Sequence, residues 1–584
     1  MQSRYDAGEQ STKKRRREDK DDEPSTVRRQ MFDNSTVRDN ARAHFGNSYN
    51  SFYGPVHQVA ASIASLENDT RNVNLRDALR FEEMDWRRAT IKLAHRNTCQ
   101  WFFDSPEYRE WCDDSFLPEH HGFLWLRGKP GAGKSTLMKH AVRHADVEFS
   151  DCLRTSFFFN AKGAELEKSI QGMYRSLLCQ LLTQSPDLEK LLDKRTWTYK
   201  TWPIELLQEL FYDTVLRLGE AKLICYIDAL DECNTSEVRD MIEFLENLAS
   251  KAVSANVQFR VFFASRHYPH INMPRCVHII LDNLEGHQQD IEAYVETTLK
   301  VPENELRHEI IWDVRSKAED VFLWVVLVVR LLNEESDRGH PGRLIDRLRE
   351  IPPGLHALFE NALVERDIGD TTYVVPILLW VLYASRSITP MGLYCAITDA
   401  RDSESTAKCG QPSFYEVKKF ILNGSKGLVV VVGAGELQRV LFIHETVREY
   451  LSRGGIGRLD HRFCHNPAGL GHEVLRATCF EYMSYVARTF QPFFDSLPDT
   501  SPMNRDFYSR RKQICDKFPF LAEAHRESIR QAEAAQVNGI SQNSFVKNFP
   551  LGLLIKFHNL LEIPEGHYAA SASKVFVFAH QGAP

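Results

Sequence analysis

At 584 residues, 43% hydrophobic and 26% charged, with a formal charge of -7, the chain is too long for one core and reads as roughly three to five soluble domains. That charge argues against bulk nucleic-acid binding, and twelve scattered cysteines without a C-x-x-C pair argue against a disulfide framework and for a reduced intracellular setting. The longest apolar run, Val321–Val329, falls far short of the ~20 residues of a spanning helix and reads as a buried helix.

Residues 1–74 read as a disordered basic and polar tail with a linker. Lys13–Arg17 is a basic run followed at once by acids, which fits a solvated charge run or, less simply, a nuclear-import signal. The stretch Asn40–Gly54 mixes Asn, Ser and Gly with aromatics, a composition that suits a plain linker and also stacked β-arches. Over 75–120, Leu79, Met84, Ile91, Ala94, Thr98 and Trp101 fall near one helical face, which predicts a helical lead-in.

From 121 to 281 apolar strands alternate with helices. The strands are expected at Phe123–Arg127, Arg154–Asn160, Leu223–Ile227, Val261–Ala264 and Val277–Leu281. Continuous apolar runs of strand length separated by amphipathic helices imply a parallel sheet covered on both faces, an α/β fold. Helices are expected around Ile170–Leu181 and from Pro203 to Leu216. A helical domain follows over 282–355, with helices at Ile291–Leu299, Ala318–Leu332 and Leu344–Glu350, closing at Pro352-Pro353-Gly354. Residues 356–455 combine helices with a hairpin, Gly427–Gly433 against Arg439–Ile443, which suggests a winged helix. Residues 456–584 are helical without an internal repeat.

Gly128, Lys129, Pro130, Gly131, Ala132, Gly133, Lys134 and Ser135, followed by Thr136, fit the Walker A pattern G-x-x-x-x-G-K-S/T between an expected strand and an expected helix. The glycines let successive backbone N–H groups face the phosphates, and the helix N-terminus adds positive dipole. Lys134 is placed to reach the β- and γ-phosphates, and the Ser135 hydroxyl to ligate Mg²⁺. Asp228 ends an apolar strand and suits the Walker B role, holding Mg²⁺ directly or through water. Glu232, or second to it Asp231, is the candidate to orient and deprotonate the attacking water. Arg266 directly follows the next strand and either points at the γ-phosphate or caps the sheet. His461, Cys464, His465 and His472 cluster in sequence, but Pro467 and Gly469 read as a loop and no C-x-x-C accompanies them, so zinc is not expected.

With these residues in place the chain resembles the NACHT family of STAND-class P-loop NTPases, and among them the NLR-like proteins of filamentous fungi. The resemblance is carried by Met84–Arg87 to Cys99–Trp101, His120–Thr136, Tyr226–Cys233 and Ser265–Pro269, and runs from about Leu79 to near the C-terminus. It implies a sheet with an additional strand between the Walker A and Walker B strands, then a helical domain and a winged helix that close over the nucleotide. Val321–Trp324 looks like the segment that elsewhere in the class carries a Gly-Leu-Pro adenine contact, and here the proline is absent. Phe442–Tyr450 resembles the block whose histidine, here His444, contacts the β-phosphate of bound diphosphate; a histidine satisfied inside the winged-helix core is the competing reading. Phe518–Leu521, Ala532–Ala535 and Phe549–Leu551 look like the region that leads into ankyrin repeats in fungal relatives, and no such repeats are expected before Pro584.

The resemblance implies a switch that binds ATP or GTP with Mg²⁺, hydrolyses it slowly, and couples nucleotide state to opening and homo-oligomerisation, as in innate immunity or incompatibility. An N-terminal effector partner belongs to the same picture, in the cytoplasm or, if Lys13–Arg17 acts in import, the nucleus. The alternative is a scaffold that binds nucleotide without turning it over. A small-molecule kinase is disfavoured by the long helical and winged-helix extension and the Asp231–Glu232 pair.

Overall fold

A computed structural model describes residues 75–577, apart from 97, 162, 192–201, 269–270, 283, 302–304, 340–342, 365–370, 399–411, 434, 436–437, 496–504, 562–567, 570–571 and 574–575. The basic run at Lys13–Arg17 and the stretch Asn40–Gly54 lie outside the described residues. The lead-in is a set of short helices: α1 (Leu75–Leu79), α2 (Trp86–Thr90), α3 (Trp101–Asp104), α4 (Pro106–Cys112) and α5 (Leu117–His120). The expected helical spacing is therefore interrupted, and local chemistry explains two of the breaks. Cys99 takes a left-handed φ of +67° before α3, and Ser105 caps α4 by accepting the Tyr108 N–H while Pro106 supplies its first turn.

The sheet contains β1 (Phe123–Arg127), β2 (Leu153–Phe158), β3 (Leu223–Asp228), β4 (Phe259–Ser265) and β5 (Val277–Ile280). Helices α6 (Lys134–Glu148), α7 (Ile170–Gln184), α8 (Pro186–Leu191), α9 (Ile204–Leu216) and α10 (Thr235–Ser254) are interleaved with them. All four pairings are parallel, in the order β2-β3-β4-β1-β5, so β4 is the strand between those that end in the Walker A and Walker B motifs. The period of two sorts the side chains. Phe123 and Trp125 join the core that holds α7, α9 and α10, whereas Leu124 and Leu126 pack with α6, α3 and α4 on the other face. Each fully buried large apolar side chain of these layers contributes about 1.5–3 kcal/mol of transfer free energy. The lead-in is pinned to the sheet by polar contacts as well. The Trp111 indole donates to Gly122 O at 2.7 Å, and the buried Arg260 guanidinium donates to Trp111 O at 2.9 Å and Asp114 at 2.6 Å.

Beyond the sheet come α11 (Glu285–Thr298), α12 (Glu305–Ala318), α13 (Phe322–Asp337), α14 (Leu344–Glu350) and α15 (Leu355–Val364). The expected helix Ala318–Leu332 is divided, because Glu319 and Asp320 adopt left-handed φ values of +48° and +64°. The winged helix follows as α16 (Val374–Tyr383), α17 (Pro390–Thr398), α18 (Phe414–Gly424) and the antiparallel hairpin β6 (Val429–Val432) and β7 (Arg439–Phe442). The chain continues as α19 (Glu445–Tyr450), α20 (Ile456–Leu459), α21 (Pro467–Thr489), α22 (Gln491–Asp495), α23 (Arg505–Lys517), α24 (Leu521–Val537), α25 (Asn543–Asn548) and α26 (Leu551–Leu561). One apolar core runs through these helices and the hairpin.

The loop expected at Pro467 and Gly469 is instead the start of the 23-residue α21. Asn466 caps it by accepting the Gly469 N–H at 2.9 Å, and Pro467 occupies the position where a missing N–H costs nothing. Among the described residues no helix is long and apolar enough to cross a membrane.

Candidate nucleotide-binding site

β1 delivers the chain to the turn Gly128–Gly133, and Lys134, Ser135 and Thr136 open α6. Gly131 and Gly133 hold φ values of +79° and +103°, a region costly to any side chain with a Cβ, so the turn requires glycine at both. Asp282, just past β5, accepts the Lys129 N–H at 2.9 Å and lies 2.6 Å from His267 Nε2. The Lys134 ammonium folds back on the loop and donates to Gly128 O and Lys129 O, both at 2.8 Å. Burial pushes its pKa down to about 8, opposed by Asp231 and Asp228. The loop's own carbonyls thus hold the Lys134 ammonium, and phosphate oxygens would replace them as its acceptors.

Asp228 ends β3 almost fully buried, at 1% exposure. Burial drives its pKa up to about 7, and a hydrogen bond from Ser135 works in the opposite direction. Its Oδ2 is buried without a hydrogen-bond partner. A hydroxyl and a half-satisfied carboxylate side by side are hard oxygen donors, so Ser135 and Asp228 fit a hydrated Mg²⁺. Among the described residues no group of three or more His, Cys, Asp or Glu could hold a metal. Accordingly His472 is paired with Gln531 at 2.7 Å, while Cys464 lies 3.6 Å from His461.

After Asp228 the left-handed Ala229, φ +59°, turns the chain into a short 3₁₀ segment, Leu230–Glu232, that sends the two acids in different directions. Asp231 accepts the Arg266 N–H at 2.9 Å on Oδ1, and its Oδ2 lies 2.9 Å from Arg266 Nε. Burial raises the Asp231 carboxyl while Arg266 lowers it, and burial wins. Glu232 accepts the Ala161 N–H at 3.0 Å on Oε2, and its Oε1 faces Arg87 Nη2 at 3.6 Å. Arg266 reaches beyond the sheet: its Nη1 donates to Glu449 of α19 at 2.5 Å.

The structure thus brings Gly128–Thr136, Asp228, Asp231, Glu232 and Arg266 to one end of the sheet. His444 sits at the N-cap of α19, where its Nδ1 accepts the Thr446 N–H at 3.2 Å. Sequence reasoning passed over Asp282, Arg87, Glu449 and Leu323. Arg87 and Glu449 both stood inside the motif blocks, but their partners are far away along the chain. Leu323, at the start of α13, donates its N–H to Gly131 O at 2.9 Å, and Lys129 Nζ donates to Glu319 O at 3.0 Å, so the helical domain rests directly on the loop.

Residues 97–266 match the family model described as Nephrocystin 3, N-terminal. No curated protein matches the chain. Among solved structures, a chain of Drosophila ORC bound to DNA is 14% identical with a TM-score of 0.30, over 66% of this chain and 93% of that one. Cdc6p from Pyrobaculum aerophilum is 10% identical with a TM-score of 0.32, over 64% of this chain and 97% of that one.

Proposed function

We propose that the chain is a nucleotide-operated switch of the NACHT/STAND P-loop type that binds ATP or GTP with Mg²⁺, hydrolyses it slowly, and opens and oligomerises in the triphosphate state, a reading supported by the loop at Gly128–Thr136 and by the match of residues 97–266 to the Nephrocystin 3 N-terminal model. The observation that carries this reading is Arg266, which joins Asp231 beside the phosphate loop to Glu449 on the helix that follows the wing. A γ-phosphate arriving at the loop competes for that guanidinium, because a doubly charged oxyanion is a stronger partner than one carboxylate. Losing Arg266 to phosphate weakens the tie to α19, which translates nucleotide state into module position.

Within the site, Lys134 exchanges two loop carbonyls for β- and γ-phosphate oxygens. Ser135 and Asp228 hold Mg²⁺, which when bound neutralises charge on the phosphates. Glu232 orients the water and accepts its proton, while Asp231 keeps Arg266 aimed. His444 contacts the β-phosphate in the diphosphate state and favours closure. Signalling of the kind found in fungal NLR-like immunity or incompatibility, through a homo-oligomer and an N-terminal effector, is the biological setting proposed. Native mass spectrometry of the purified chain, with light scattering in diphosphate and in a non-hydrolysable triphosphate, tests the reading. Retained nucleotide and a larger mass in triphosphate are expected; a chain that binds neither nucleotide overturns it.

A second reading, a nucleotide-bound scaffold without turnover, is favoured by one feature: both carboxylate oxygens of Glu232 are engaged. Binding without phosphate release in a turnover assay would select it.

A further inference from the structure

We infer that Arg87 is a positioning residue that holds Glu232 at rest and so ties turnover to the lead-in; this rests on the role proposed above for Glu232. Arg87 stands on α2, outside the sheet, and its Nη2 faces Glu232 Oε1 at 3.6 Å, with the two side chains 27% and 12% exposed. Its field reaches the buried Asp228 as well. The other Glu232 oxygen accepts the Ala161 N–H. A carboxylate held by a guanidinium at one oxygen and an N–H on the other must release one of these partners before that oxygen can take a proton from water.

The backbone contact comes from the segment that follows β2, and the charge contact comes from α2. Of the two, α2 is the one tied to the phosphate-loop helix. The carbonyls of Ala89 and of Ile91, the residue that caps the C-terminus of α2, accept from Lys139 at 3.4 and 2.5 Å, and Lys139 lies on α6, the helix that starts at Lys134. Arg88 donates to Ser156 Oγ on β2 at 3.0 Å. One short helix thus touches the phosphate-loop helix, the sheet and Glu232. Space for a shift is present: a cavity of about 270 Å³ separates Glu83, Trp86 and Glu167 from Trp380, Arg386 and Glu523. Packed interiors resist displacement, whereas a wall facing a cavity yields without displacing other side chains. The buried Arg87 Nε has no hydrogen-bond partner, which weakens the resting arrangement relative to a fully satisfied guanidinium.

The test is steady-state hydrolysis by the full chain carrying R87Q, R87K or E232Q, together with hydrogen exchange of the amides at 86–91 with and without diphosphate plus aluminium fluoride, a mimic of the transition state. R87Q should raise kcat roughly fivefold, the factor given by ~1 kcal/mol for a partly exposed ion pair, and leave KM unchanged. R87K, which keeps the charge but not the fork, should fall between R87Q and wild type. The mimic should speed exchange at 86–91 in wild type and have little effect in R87Q. A misfolded variant would lose kcat and gain exchange throughout, so a higher kcat at constant KM is not a product of structural damage. If E232Q stops turnover while R87Q leaves kcat unchanged or lower, this inference fails alone. If E232Q turns over like wild type, the proposed base role fails and takes the inference with it. In a chain without measurable turnover the exchange arm decides, and equal exchange at 86–91 in both nucleotide conditions overturns the proposal.

Discussion

Replacing Glu449 by alanine isolates the tie between the nucleotide site and the helix after the wing. The Arg266–Glu449 contact is 2.5 Å, with side chains 23% and 27% exposed. A charge-assisted hydrogen bond in such a half-buried position is worth about 1–2 kcal/mol, the lower part of the range for charged pairs because solvent screens it. Arg266 keeps Asp231 as a partner at 2.9 Å, so Glu449→Ala orphans no buried charge and should not unfold the sheet. If this contact helps hold the closed arrangement, its loss shifts the closed-to-open ratio by about 5- to 30-fold. Light scattering in diphosphate should then show a larger oligomeric fraction in Glu449→Ala than in wild type, and trypsin should cleave the variant faster. Glu449→Gln retains an acceptor and should fall between the two. Mass distribution and cleavage rate identical to wild type in diphosphate would refute the argument that Arg266 transmits nucleotide state through α19.

Lys134→Ala removes the buried ammonium, and fluorescent-nucleotide titration should show affinity lower by ~10- to 100-fold, the equivalent of about 1.5–3 kcal/mol; unchanged affinity would remove Lys134 from the site. Asp228 should couple metal to protons: with a pKa near 7 in the unliganded fold it must lose its proton to act as a ligand, so Mg²⁺-nucleotide binding should release protons below pH 7 and weaken as pH falls through that value. Calorimetry at pH 6.5 in two buffers of different ionisation enthalpy measures this, and equal heats would contradict it. Glu523 accepts the Thr389 N–H at 3.0 Å and has its pKa pushed up from 4.5 to about 7 by burial against Thr389 hydrogen bonds. The folded chain therefore binds more protons than the unfolded one between those values, and this group's contribution to stability falls as pH rises from about 4.5 to 7. Glu523→Gln escapes that penalty, so its Tm relative to wild type should rise from pH 5 to pH 8; a difference that stays constant or falls would contradict the sign.

The sheet was legible because its central strands β1, β3 and β4 are buried on both faces and each strand is bounded by a change of pattern; β3 and β4 lie within a residue or two of their expected limits. The loop was legible because its chemistry is local: six residues of turn and three of helix carry the whole Walker A motif. What escaped was set by distance along the chain or by backbone shape. Arg266 and Glu449 are 183 residues apart, and nothing near either residue signals the other. The division between α12 and α13 depends on two left-handed non-glycine residues stabilised by tertiary contacts, among them Lys129 Nζ on Glu319 O and His287 with Asp320 O at 3.1 Å. At α21 proline and glycine read as a break, although both serve a helix there. Gly471 is required because a Cβ would lie 2.4 Å from the Tyr383 ring, a close approach visible only in the packed structure.

Among the connections that reach the loop and its acids from outside the sheet, nucleotide should treat three differently. Leu323 N–H bonds to the carbonyl of Gly131, whereas phosphates need the loop's N–H groups. That contact has no competitor in either nucleotide state, so it suits a fixed pivot between the sheet and α13. The Arg266–Glu449 and Arg87–Glu232 pairs are charged, and phosphate competes for one while the attacking water competes for the other. A contact without a rival and two contacts with rivals are what a hinge and its releases require: the pivot keeps the modules attached while each charged pair can be given up separately. Binding of triphosphate alone should then loosen α19 through Arg266, and only progress toward hydrolysis should free α2 through Glu232. The N-terminal lead-in and the winged helix would in that case respond to different steps of one cycle. Hydrogen exchange in a non-hydrolysable triphosphate and in a transition-state mimic such as aluminium fluoride with diphosphate separates the steps: simultaneous loosening of 86–91 and 445–450 in the first state would show that the two pairs release together.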